Sequence, residues 1–220
     1  GESIIIQGNK FIKTSTVYLG GQFLGTTFID NHNLRVNVPN ELLVRAGTSQ
    51  IAVINPSPEG GTSNIANLQI NNPVPSVSST DPTETMAGTS GLTLSVYGTG
   101  FFDDTTVYIN NIQRPFTLIS QTKIQLELKA EDLETGKYLE VTASNPQPGG
   151  GLSNKAIFTV LNPAPTLSSI NPTSIIAESA DFTLTLTGSN FVKTSTVSFN
   201  NQQFAETYIS ATQIQATIPS

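Results

Sequence analysis

Few side chains in this chain are of a type and spacing that does chemistry. Asp103 and Asp104 stand together after Phe101-Phe102 in a loop-like stretch, and neighbouring carboxylates are what Ca2+ takes as ligands. That ion needs about six to eight oxygens, and the corresponding residues elsewhere are Lys13-Thr14 and Lys193-Thr194, so the two aspartates make a poor metal site. Glu131, Asp132 and Glu134 form an acidic cluster that would suit a cation or a basic partner, although such clusters are usually solvated faces. The single His32 sits in Asp30-Asn31-His32-Asn33, with no second histidine or cysteine to share a metal. Tyr18, Tyr97, Tyr108 and Tyr138 would stack on sugar rings if exposed and would pack the interior if not. Lys155 corresponds to Ile65, so no repeated lysine supports an internal Lys–Asn crosslink. The many hydroxyls include no G-x-S-x-G elbow, and no glycine run leads into Lys-Ser or Lys-Thr. The expectation is a protein that is not an enzyme and uses no cofactor.

Composition narrows the choice further. The 220 residues carry a formal net charge of −6, and only 12% are charged, about half the ~25% of an ordinary soluble domain. Thr, Ser, Asn and Gln fill the gap with 82 residues. An acidic chain with ten basic residues cannot neutralise a phosphate backbone, which argues against nucleic acid as a partner. The absence of cysteine removes disulfides and thiolate chemistry together. No apolar run approaches the ~20 residues needed to span a bilayer.

The elements that must position any site come from a repeat. Gly8, Gly98 and Gly188 are spaced by ninety residues, as are Phe11, Phe101 and Phe191, and Lys13-Thr14-Ser15-Thr16-Val17 recurs at Lys193 to Val197. Asn55-Pro56 matches Asn145-Pro146, and Pro73-x-Pro75 matches Pro163-x-Pro165. Within a unit the apolar residues alternate: Leu92, Leu94, Val96; Val107, Ile109; Ile124, Leu126, Leu128; Leu139, Val141, Ala143; and Phe158, Val160. A further strand is expected near Val77, and residues 130–135 are the one stretch suited to a helical turn. Gly20-Gly21, Asn110-Asn111 and Asn200-Asn201 lie between strand patterns and tolerate the positive φ of a two-residue hairpin turn. Short strands separated by frequent turns, each with one apolar face, predict an all-β antiparallel sandwich per unit. The phenylalanine three residues after each glycine is expected to plug one end of the core.

These motifs resemble the IPT/TIG domains, immunoglobulin-like (E-set type) folds found in plexins, Rel-type transcription factors and many bacterial surface proteins. The resemblance is carried by Gly188-x-x-Phe191 with Ile170-Asn171-Pro172 upstream, and by Asn145-Pro146…Gly150-Gly151-x-Ser153-Asn154-x-x-x-Phe158-x-Val160. It covers the whole chain. It implies tandem immunoglobulin-like β-sandwiches, and the cysteine-free, Ser/Thr/Asn-rich style is similar to arrays in large secreted bacterial proteins, which act as spacers, stalks or attachments to carbohydrate-active enzymes.

The expected domains are 1–72, lacking its first strand, a complete repeat at 73–162, and 163–220, lacking its last strands. The chain therefore reads as an excerpt of a longer array, the alternative being completion by strand addition from another chain. Pro73, Pro75, Pro163 and Pro165 form the junctions, and because proline fixes φ they should act as semi-rigid hinges. Asn55-Pro56-Ser57 and Asn171-Pro172-Thr173 are disqualified as glycosylation sequons by their central proline. The expected function is structural: a semi-rigid rod of Ig-like domains in a bacterial extracellular or cell-surface stalk, filament or adhesin. Its partners would be neighbouring Ig-like domains of the same or identical chains. The alternative is a module binding carbohydrate, protein or a host-cell ligand on a secreted enzyme or surface complex.

Overall fold

The segments whose apolar and polar residues alternate in the pattern read above are strands, because a period of two places every second side chain on one face. The structure is a computed structural model describing residues 1–219; Ser220, the last residue of the expected third repeat, lies outside the described residues. The N-terminal strands are β1 (Glu2–Gln7), β2 (Thr16–Leu19), β3 (Gln22–Leu24), β4 (Thr26–Asp30), β5 (Asn33–Val38), β6 (Gly47–Asn55), β7 (Gly61–Thr62) and β8 (Ala66–Ile70). The central strands are β9 (Ser76–Asp81), β10 (Glu84–Met86), β11 (Gly91–Thr99), β12 (Thr106–Ile109), β13 (Ile112–Arg114), β14 (Thr117–Ser120), β15 (Lys123–Lys129), β16 (Lys137–Asn145), β17 (Gly151–Leu152) and β18 (Ala156–Leu161). Last come β19 (Thr166–Asn171), β20 (Phe182–Ser189), β21 (Val197–Phe199), β22 (Gln202–Phe204), β23 (Glu206–Ser210) and β24 (Gln213–Ile218). Two short 3-10 turns, Asn40–Leu42 and Ala130–Leu133, are the helical elements among the described residues, the second within the stretch expected for it.

The chain divides into two compact units: Gly1–Pro75 with Ser144–Leu152, and Ser76–Ala143 with the chain from Ser153 onward. In the first unit β1–β5–β4 form one sheet, and β3–β2–β6 form the other with β7 and β8 both paired to β6. Val17, Leu19, Leu34, Val36 and Val53 from the two sheets meet in a core closed by Phe11. Residues 144–152 join this unit through Asn72. Its N–H donates to the Pro148 carbonyl at 2.8 Å and its carbonyl accepts the Gly150 N–H at 2.8 Å. Its side-chain amide donates to the Pro146 carbonyl at 2.8 Å, and Asn145 Nδ2 donates to the Pro73 carbonyl at 2.8 Å.

The second unit holds two cores. One lies between β14–β15–β11–β9 and β10–β18–β16–β12–β13, where Leu94, Val96 and Ile124 meet Val107, Ile109, Val141 and Phe158. The other is built on β19–β20–β24–β23 and β21–β22 around Phe191, Val197, Ile214, Ala216 and Ile218. The pairings of these sheets are antiparallel except for β10, which runs parallel to β18 with Thr85 opposite Val160. No alternation in Glu84-Thr85-Met86 announces that strand.

The hairpin turns have the expected backbone. φ is +56° and +97° at Gly20 and Gly21, +49° and +65° at Asn110 and Asn111, and +49° and +64° at Asn200 and Asn201. The glycine–phenylalanine motif also has a clear physical origin. A Cβ on Gly98 would run into the Ser76 carbonyl oxygen and the Phe101 ring, and one on Gly188 would meet the Thr166 carbonyl and the Phe191 ring. The glycine N–H and the phenylalanine N–H of each motif then bind the neighbouring hairpin: Gly98 to Thr122 O at 3.0 Å and Phe101 to Gln121 O at 3.1 Å. Gly8 and Phe11 do the same with His32 O and Asn31 O, at 2.9 and 3.0 Å. Phe101 is fully buried; Phe11 and Phe191 are 8% and 7% exposed.

Candidate functional site

Asp103 and Asp104 occupy the exposed corner of a tight turn. The turn is closed by Thr105, whose N–H donates to Phe102 O at 3.0 Å and whose hydroxyl accepts the Phe102 N–H at 3.0 Å. Ser15 and Ser195 close the same turn around Lys13-Thr14 and Lys193-Thr194. The positions are turn tips that accept either sign of charge. Among the described residues no three Asp, Glu, His or Cys side chains gather as a metal would require.

The acidic cluster, by contrast, does not form one solvated face. Asp132 is buried; its Oδ1 accepts a hydrogen bond from Arg114 Nη2 on β13, and its Oδ2 accepts the Lys129 N–H at 2.9 Å, capping the 3-10 turn. Glu134 pairs with Lys193 at 2.7 Å, while the Glu131–Lys129 pair at 3.7 Å is mostly exposed. The basic groups that these carboxylates meet are residues of the chain itself. Sequence reading missed the Asp132 role because its partner lies 18 positions away on another element; the signal was a charge at positions where the N-terminal repeat has Leu24 and Leu42.

His32 is exposed, and its environment belongs to the β4–β5 turn. Asp30 Oδ1 accepts the His32 N–H at 2.7 Å and the Asn33 amide at 3.0 Å. The backbone N–H of His32, and after it the Asn33 side chain, hold the Asp30 carboxyl below its ordinary value. A carboxylate depressed in the fold favours folding above its unfolded pKa, and that gain disappears as pH falls through the folded value. Replacing Asp30 with Asn is therefore expected to make unfolding of the N-terminal repeat less acid-sensitive; titrating the Asp30 carboxyl by NMR checks the premise.

The junction prolines lie in hydrogen-bonded segments. Pro73 is exposed and Pro75 buried; Pro163 is half-buried and Pro165 exposed. Asn190 Nδ2 donates to Ala164 O at 3.0 Å, and Asn162 Oδ1 accepts the Gly136 N–H at 2.5 Å. Of the tyrosines, Tyr97 lies under the Lys123 ammonium, 5.2 Å from the ring centre, and the Tyr108 hydroxyl accepts from Thr106 at 3.2 Å. Tyr138 is 72% exposed. Tyr18 packs edge-on against Phe23 at 5.1 Å between ring centres, with Phe23 64% exposed, a pairing not anticipated from the sequence. Lys155 is bound to Glu140 at 2.6 Å on the surface. No helix among the described residues is long and apolar enough to cross a membrane.

Comparison with curated proteins gave no match. Among solved structures, the chain is similar to a protein crystallised with a xylogluco-oligosaccharide (19% identity, 99% of this chain, 51% of that one, TM-score 0.38). It is also similar to SGBP-B of the Bacteroides ovatus mixed-linkage glucan utilization locus in complex with a mixed-linkage heptasaccharide (13% identity, 94% and 50%, TM-score 0.25). A third is a 1.5-MDa bacterial ice-binding adhesin (14% identity, 100% and 80%, TM-score 0.30). The chain spans about half the length of the first two. The family model for the IPT/TIG domain matches three times, over residues 1–70, 75–160 and 165–220. These spans do not establish the uniform ninety-residue period expected from the sequence. With almost every residue inside one of the three matches and immunoglobulin-like sheets in each, the chain belongs to the IPT/TIG domain family.

Proposed function

We propose that this chain is a non-catalytic structural segment of a bacterial extracellular stalk, filament or adhesin, in which Ig-like domains at 1–72, 73–162 and 163–220 act as a semi-rigid spacer. The observation that carries this reading is the state of the connecting chain. Asn72, next to Pro73, is held by backbone hydrogen bonds on both sides and by its side chain, so the linker is fixed where a flexible tether would be solvated. A surface rich in Thr, Ser, Asn and Gln supports the same reading, since its hydration depends little on salt or pH.

The test is small-angle scattering of the chain against a variant with Pro73, Pro75, Pro163 and Pro165 all changed to Gly. The expected result is a narrow, salt-independent distance distribution for the natural chain and a broadened one for the variant. Indistinguishable distributions, with both proteins folded by circular dichroism, would overturn the spacer reading.

A further inference from the structure

The N-terminal repeat differs from the others on one sheet face. On β2 the side chains of Val17 and Leu19 are buried and that of Tyr18 points away from the core, beside Phe23 on β3 and Ala52 on β6. Ala52 is small, so a groove opens beyond the tyrosine ring. Its cavity of about 480 Å3 falls within the ~300–1,000 Å3 of small-ligand sites. Tyr18, Ala52 and Ile65 supply its apolar surface, and Thr48, Gln50 and Thr62 its polar edge. None of the lining residues is charged.

The central repeat differs at the positions that line this groove. At the corresponding positions it has Glu140 for Gln50, Lys155 for Ile65, Thr142 for Ala52 and Gln113 for Phe23. There Lys155 and Glu140 form an ion pair at 2.6 Å, and Asn110 Oδ1 accepts the Glu140 N–H at 2.8 Å. Gly20, at the position of Asn110, has no side-chain oxygen to offer as that acceptor. The C-terminal repeat has Ser198 and Gln203 in place of the two aromatics.

We infer that the Tyr18–Ala52–Ile65 groove binds a neutral oligosaccharide. A pyranose ring has an apolar C–H face, which stacks on an exposed aromatic ring, and a rim of hydroxyls that both donate and accept. The groove pairs these features with an aromatic wall, a methyl floor and an edge of side-chain hydroxyl and amide groups. An anionic polysaccharide would meet an uncharged groove on a chain of net charge −6, with no cation in the lining to receive it. The inference does not depend on the spacer reading, since a site on one repeat is compatible with stiff or flexible joints.

The test is an amide NMR titration of the 220-residue chain with cellohexaose, xylohexaose, laminarihexaose and mannohexaose at millimolar concentrations. At least one should give saturable shifts confined to Tyr18, Gly20, residues 48–52 and Ile65. Tyr18→Ala should weaken binding about tenfold or more, a difference of ~1.4 kcal/mol. Gln50→Glu with Ile65→Lys, which installs the pair of the central repeat, should weaken it equally without lowering the unfolding midpoint. No saturable shifts with any of the four sugars, shifts elsewhere on the surface, or unchanged affinity in the variants would overturn the proposal. Shifts of the same amides on concentrating the protein without sugar would assign the groove to a second copy of the chain and overturn it as well.

Discussion

Phe101→Ala is expected to destabilise the central repeat by about 3–5 kcal/mol, the largest effect of any single truncation considered. The ring is fully buried between two sheets, and the loop that carries it is pinned at both ends of its motif by the Gly98 and Phe101 N–H groups. A loop held in this way cannot settle into the space the ring leaves, so the cavity cost should fall near the top of that range. Phe11→Ala and Phe191→Ala should cost less, because both rings are partly exposed and sit in smaller cores. Gly98→Ala tests the same contact from the other side. Its new Cβ strikes a carbonyl oxygen that cannot move without disturbing β9, for a loss of about 1–3 kcal/mol. Urea unfolding read by a probe in the repeat that carries each substitution measures all four; a loss below about 1 kcal/mol for Phe101→Ala would contradict the plug.

Asp132→Ala should cost about 3 kcal/mol, at the low end of the range for breaking a buried ion pair. The Arg114 and Asp132 side chains are only 13% and 10% exposed, so the remaining guanidinium would stay largely out of water without its counter-charge. Arg114 Nε has no hydrogen-bond partner even in the intact pair, which leaves the arginine little other compensation. The Lys129 N–H would lose its acceptor too. The N-terminal repeat indicates the rescue. At the same two positions it carries Leu24, buried, and Leu42, packed against the core. Arg114→Leu combined with Asp132→Leu should therefore recover most of the loss, since replacing both charges removes the desolvation cost along with the attraction. A double-mutant cycle with a coupling below about 0.5 kcal/mol would show the pair to be an ordinary surface contact.

Much of this architecture is written in short stretches of sequence. Alternation in Leu92-Thr93-Leu94-Ser95-Val96 specifies strand β11 and its buried face, because the period of two belongs to consecutive residues. Paired Gly or Asn residues specify the hairpin turns by tolerating positive φ. Gly-x-x-Phe specifies a close approach that a Cβ would prevent. Each of these depends on neighbours within a few positions, so each is legible in the sequence.

What only the tertiary structure decided depends on residues far apart in the chain. Glu84-Thr85-Met86 is a strand because β18, more than seventy residues later, offers it an edge. Asp132 belonged by composition to a solvated acidic cluster, and became a buried partner of Arg114 when β13 was laid beside the 3-10 turn. Tyr18, Phe23 and Ala52 form one row because three strands pair in that register, and Ile65 and Gln50 line a groove because the β2–β6 sheet brings them beside Tyr18. The physical reason is that strand pairing joins residues without regard to their separation in sequence. Local chemistry determines which face of a strand is apolar, and cross-strand register determines what that face, and the opposite one, will meet.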